Sequence, residues 1–114
     1  MINRFEDIKA WEKAKELTIL VFRHFNNCRN YCLRDQIQRA AISIMNNIAE
    51  GYERKGDREF KRFLFIAKGS CGEVRSMLLL SSELDYIQKE KFEKLYNLSL
   101  EISKILSGFI KKLN

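Results

Sequence analysis

QIQRAAISIMNNIAEG, residues Gln36 to Gly51, carries two faces of different character when read at 100° per residue. Leu33, Ile37, Ala41, Ile44, Met45, Ile48, Ala49 and Tyr52 share one broad apolar arc. Gln36, Arg39, Ser43, Asn47, Glu50 and Arg54 fall on the opposite side, with small neighbours such as Ala40. A solvated helix face is usually rich in Lys and Glu. Gln, Ser and Asn suit a face that touches something, either as a recognition surface or as a hydrogen-bonded seam between helices or subunits. The spacings Arg39–Ser43, Ser43–Asn47 and Glu50–Arg54 are all i, i+4, which lets side chains pair along the face. The seam is the better reading, because it accounts for the uncharged members as well as the charged ones.

Outward from this stretch, the chain reads as four helices. The second runs from about Leu33 to Arg54. The first runs from about Glu6 to Phe25, with Trp11, Ala14, Thr18, Val21, Phe22 and Phe25 as its main stripe. Lys55–Gly56–Asp57 is the clearest break: Gly56 suits a left-handed C-terminal position and Asp57 an N-cap. The third helix runs from about Arg58 to Leu84 on a core stripe of Phe60, Phe63, Leu64, Ala67, Cys71, Val74, Leu78 and Ser81. Gly69 and Gly72 lie inside it, and each suggests the close approach of another helix, since a helical glycine costs about 1 kcal/mol against alanine. The fourth runs from about Lys89 to Lys112, with Phe92, Leu95, Ser99, Ile102, Leu106, Phe109 and Leu113 in line and Leu98 and Ile105 widening the stripe. The 114 residues contain no proline, which favours long uninterrupted helices. The expected fold class is all-α: one domain, residues 1–114, forming an antiparallel up-down four-helix bundle. Ile19, Leu20, Phe65 and Leu100 fall off the stripes, a surplus that a homo-oligomer would bury.

The formal charge is +6. Residues 54–68 hold Arg54, Lys55, Arg58, Lys61, Arg62 and Lys68 against Asp57 and Glu59, a net +4, which leaves only +2 for the rest of the chain. On a third helix, Arg58, Lys61, Arg62 and Lys68 lie on one side with Phe65 among them, and Arg75 extends the strip. Cations neutralise phosphates and an aromatic ring stacks on an unpaired base, so this side is the candidate surface for RNA or DNA. The plainer alternative is a solvated face with Phe65 covered by another subunit.

Other chemistry finds little support. His24, Cys28 and Cys32 are spaced i, i+4, i+8, but the run crosses a helix end and has no fourth ligand, so no metal site is expected. Cys71 reads as a small core residue. With a single histidine, no triad can be built; Glu50 and Glu73 fit ion-pair roles; GSCGE at Gly69–Glu73 has no strand before it and is not a phosphate loop. No cofactor motif and no enzyme are expected. The N-terminal MINRFEDIKAWEK lacks an apolar signal core, no apolar run is long enough for a membrane span, and an odd cysteine count argues against a disulfide framework, so the expected location is the cytoplasm.

FEDIKAWEKA at Phe5–Ala14, QIQRAAISIMNNIAEG, Arg54 and EFKRFLFIAKGSCGE at Glu59–Glu73 together resemble the 23S rRNA intervening-sequence proteins, also called S23-type four-helix-bundle proteins. One departure is visible: those proteins usually carry proline and serine where this chain has Met45 and Asn46, which predicts a straighter second helix. The resemblance implies a homopentameric ring. Some such proteins are encoded inside insertions in 23S rRNA genes. The accessory variability proteins of diversity-generating retroelements have a similar fold and bind a reverse transcriptase and nucleic acid through a basic surface. Two functions follow as expectations: a non-enzymatic protein that meets nucleic acid through its third helix, or an oligomeric scaffold that docks a protein such as a reverse transcriptase.

Overall fold

The computed structural model describes residues 2–113. Four α-helices follow a short 3-10 turn: α1 is Lys9–Phe25, α2 Tyr31–Glu53, α3 Asp57–Glu83 and α4 Lys89–Lys112, and no strand is present among the described residues. The helices pack into a rod with extents of 43 × 20 × 19 Å. Contacts run around the ring α1–α2–α3–α4 and back to α1, with no close backbone approach across either diagonal. That is the topology of an antiparallel bundle with short connections. The ring is uneven: α2 and α3 share the most extensive seam, α1 and α4 the thinnest.

The core is built from the apolar arcs. Leu17, Ile37, Ile44, Ile48, Leu64, Leu78, Ile102 and Leu106 are fully buried, each such side chain stabilising the fold by about 1.5–3 kcal/mol relative to exposure. The whole α3 stripe, Phe60 to Ser81, is buried as its spacing predicts. Hydroxyls stitch three of the four seams. Thr18 Oγ1 lies 2.7 Å from the Ala14 carbonyl and 3.1 Å from that of Ala41, joining α1 to α2. Ser43 and Ser70 join α2 to α3, and Ser99 donates to the Cys71 carbonyl at 3.1 Å, joining α4 to α3. The thin α1–α4 seam carries an ion pair instead, Lys13 to Glu101 at 3.1 Å.

Several expectations need correction. α1 does not begin at Glu6. Phe5–Asp7 form the 3-10 turn, and Ile8, buried and extended (φ −78°, ψ 120°), separates it from the helix. Phe22 is exposed, and Ala10 and Leu17 take the buried places in the α1 stripe. Asp57 is the first residue of α3 rather than its cap. The left-handed residue at the corner is Lys55 (φ 54°), and Gly56 at φ 134° is the N-cap, in a conformation that favours glycine. Gly69 and Gly72 mark no close approach: a methyl group would meet nothing within 4 Å at Gly69, and at Gly72 only the Arg75 guanidinium at 3.9 Å. The glycine that does so is Gly51, where an added Cβ would sit 2.6 Å from Phe63 Cβ. α2 continues unbroken through Met45 and Asn46.

Candidate nucleic-acid interface

The corner at Lys55–Gly56 turns the chain into α3 and places the basic segment at one end of the rod. Aromatic packing fixes this end. Phe60 stands edge-on to Tyr52 (5.9 Å, 77°) and to Phe109 of α4 (5.2 Å, 76°). Phe63 is buried against Gly51. Its ring is flanked by two guanidinium groups, Arg62 at 4.6 Å and Arg54 at 5.2 Å, an arrangement that holds both cations by ring attraction.

Of the six predicted cations, Arg58, Lys61 and Arg62 come together, lining a shallow depression of about 650 Å³ with Glu59 and Phe65. Phe65 is 54% exposed, the most exposed phenylalanine of the described chain. Arg54 turns back along α2 to Glu50, 2.8 Å away. Lys55 faces a separate hollow with Asn3, Tyr52 and Leu113. Lys68, half-buried, lies farther along α3 and does not line the depression. Arg75 does not extend the strip: its guanidinium donates to the Ser99 carbonyl (3.4 Å) and hydroxyl (3.2 Å), which ties it to α4.

The electrostatics divide the cations. Arg62 donates to both oxygens of Glu59, at 3.1 and 3.3 Å. This hydrogen bond holds the Glu59 carboxyl below its ordinary value and raises the Arg62 guanidinium. Both groups are solvent-facing, so the pair is screened and weak. Lys55, Arg58, Lys61 and Lys68 make no ion pair among the described residues. The depression therefore presents two unpaired cations, one paired arginine and an accessible ring, a set that can meet phosphates and stack on a base.

The polar stripe of α2 divides as well. Ser43 and Asn47, half-buried, form a cluster with Ser70 of α3: the two hydroxyls lie 2.9 Å apart, and Asn47 donates to the Ser43 carbonyl (2.8 Å) and hydroxyl (3.0 Å). Ser70, which also donates to the Ile66 carbonyl at 3.2 Å, was not among the predicted residues. Its place between Ala67 and Cys71 on the buried stripe is the signal for it. Gln36, Arg39 and Glu50 stay exposed, and Ala40 is buried.

His24, Cys28 and Cys32 are not assembled into a site. α1 ends at Phe25, His24 Nε2 lies 3.2 Å from the Tyr86 carbonyl, and Cys32 is exposed in the first turn of α2. Among the described residues no three metal-ligating side chains cluster, and no helix is long and apolar enough to cross a membrane. Burial pushes the Cys71 thiol up to about 12.

A protein of unknown function from the S23 ribosomal protein family of Bacteroides thetaiotaomicron has the same fold in its crystal structure. It is 28% identical, with a TM-score of 0.84 over 90% of this chain and 99% of its own. No curated protein matches the sequence. The model of the 23S rRNA-intervening sequence protein matches residues 6–108, from the 3-10 turn to the last turns of α4. With that match and the bundle in agreement, the chain belongs to the 23S rRNA-intervening sequence protein family.

Proposed function

We propose that this protein is a non-enzymatic, nucleic-acid-associated bundle that contacts RNA or DNA phosphates through the N-terminal half of α3. The observation that carries the reading is the convergence of Arg58, Lys61 and Arg62 around the exposed ring of Phe65. Cations supply sequence-independent affinity, and the ring supplies a stacking platform for an unpaired base. Lys68, Arg54 and Lys55 widen the positive field without sharing the depression. The family's link to 23S rRNA insertions supports RNA as the first ligand to test.

The protein works in this reading as a homo-oligomer, with a pentameric ring as the proposed assembly. The exposed surface of α3 beyond the depression supports this: Leu79, Leu80 and Leu84, at its C-terminal end, are 49–50% exposed, apolar surface that a second copy would cover. A ring would repeat the depression around its axis and turn a modest patch into a continuous band. Light scattering on the purified protein reads the assembly directly, and a monomer at micromolar concentration would remove the ring from the proposal.

Fluorescence anisotropy of the nuclease-treated protein with structured rRNA fragments, single-stranded RNA and duplex DNA, across a salt series, tests the binding. Affinity falling steeply with salt is the expected result. The double reversal Lys61→Glu, Arg62→Glu abolishes it and leaves the helical circular dichroism unchanged. Retained binding in that variant would displace the site, and no binding at low salt would leave a protein-docking scaffold in its place.

A further inference from the structure

At the opposite end of the rod, the thin α1–α4 seam opens into a cleft of about 370 Å³ lined by Leu20, Arg23, His24, Lys91, Lys94 and Leu95. Its cations come from helices distant in sequence, and no carboxylate lines it. Arg23, Lys91 and Lys94 form no ion pair among the described residues. Elsewhere on the same seam the opposite holds: Lys13 meets Glu101 at 3.1 Å. The floor is apolar, with Leu95 buried and Leu20 packed on the core, and the exposed Arg23, Lys91 and Lys94 stand around it. One wall is a fixed ring: His24 Nε2 is held to the Tyr86 carbonyl at 3.2 Å and its ring stands edge-on to Phe25 at 4.8 Å.

Lys91 lies in the first turn of α4 with Lys89 and Glu90, and Gln88 supplies no side-chain cap there. Like charges facing each other across a cleft are stabilised by a bound anion. Three cations of fork and point-charge type match a group carrying two or more negative charges.

We propose that the α1–α4 cleft is a phosphate-binding site. It is separate from the α3 depression and does not rest on nucleic-acid binding there. The phosphate is either the end of a strand or that of a free phosphorylated small molecule, and both sources present the same chemistry to Arg23, Lys91 and Lys94.

The test is a titration of the full-length, isotope-labelled protein with inorganic pyrophosphate, followed by amide chemical shifts. Saturable shifts at residues 20–24 and 91–95 are expected. Arg23→Gln, Lys94→Gln weakens this binding by about tenfold or more, as does Lys91→Gln, Lys94→Gln if the first variant folds poorly. Arg58→Gln, Lys61→Gln, at the other end of the rod, leaves it unchanged. In that last background, a 5′-phosphorylated oligoribonucleotide that displaces pyrophosphate, where its dephosphorylated form does not, supports the site and names a strand end as the source. Failure of both oligonucleotides to displace it supports the site and names a free phosphate compound. An absence of saturable shifts at the cleft, or equal binding by the cleft variants, overturns the proposal.

Discussion

Gly51 and Phe63 approach so closely that a Cβ on Gly51 would lie 2.6 Å from the Cβ of Phe63. The contact joins the last turns of α2 to the first turns of α3. Phe63 is also the ring on which Arg54 and Arg62 rest, so backbone packing and surface charge meet at one residue.

Gly51→Ala therefore destabilises the protein even though alanine is the better helix former. Overpacking outweighs the gain in helix propensity, for a net loss of about 1–2 kcal/mol. Urea unfolding of the two proteins measures it. A variant more stable than the parent would mean that α2 and α3 separate without strain.

Ser43 and Ser70 share a hydrogen bond inside the α2–α3 seam. A double-mutant cycle with Ser43→Ala and Ser70→Ala should give a coupling energy of about 0.5–1.5 kcal/mol. Additive effects would show that each hydroxyl is satisfied by its own helix, as Ser70 is in part by the Ile66 carbonyl.

Cys71 and Cys32 differ in environment, one buried and one exposed. At mildly alkaline pH, Cys32 reacts with iodoacetamide in the native protein and Cys71 does not. Burial raises the folded Cys71 thiol from 9.0 to about 12. A raised folded value gives stability that is complete below pH 9 and is lost as the pH climbs towards 12. Comparison of the alkaline unfolding of Cys71→Ala with that of the parent isolates this contribution, since the variant lacks it. Identical alkaline profiles would contradict the burial argument.

Glu59 competes for Arg62 with any phosphate entering the depression. Glu59→Gln releases the arginine, so RNA affinity rises and the dependence of log affinity on log salt steepens by up to about 0.7 for a single strand. Weaker binding by this variant would place the phosphates elsewhere. Lys61→Ala moves both quantities the other way.

The bundle was legible in the sequence because burial in it is periodic. Every residue of the α3 stripe is buried, and the arc of α2 faces the core. The errors arose where geometry is set by a neighbour. Phe22 has the right residue type for the α1 stripe but lies at its edge, and small Ala10 faces inward instead. Of the helical glycines, Gly69 and Gly72 looked informative, yet only Gly51 abuts another helix, and that depends on where Phe63 stands. At the candidate interface, charge type was readable and charge pairing was not. Arg62 and Lys61 are adjacent in sequence, but one is held by Glu59 and the other is unpaired. The α1–α4 cleft was invisible for a simpler reason: Arg23 and Lys91 become neighbours only once the rod has closed.

The unequal seams of the ring give the rod a direction of breathing. α2 and α3, locked by Gly51 at one point and by the Ser43–Asn47–Ser70 cluster at another, form a stiff spine. α1 and α4 are two staves laid on it that touch each other least. Amide hydrogen exchange should be slowest along the middle of α2 and α3 and fastest where the N-terminal turns of α4 part from the end of α1. The rod is put together like a clothes-peg, held most firmly along α2 and α3 and least along the α1–α4 edge, where the cations of the cleft sit.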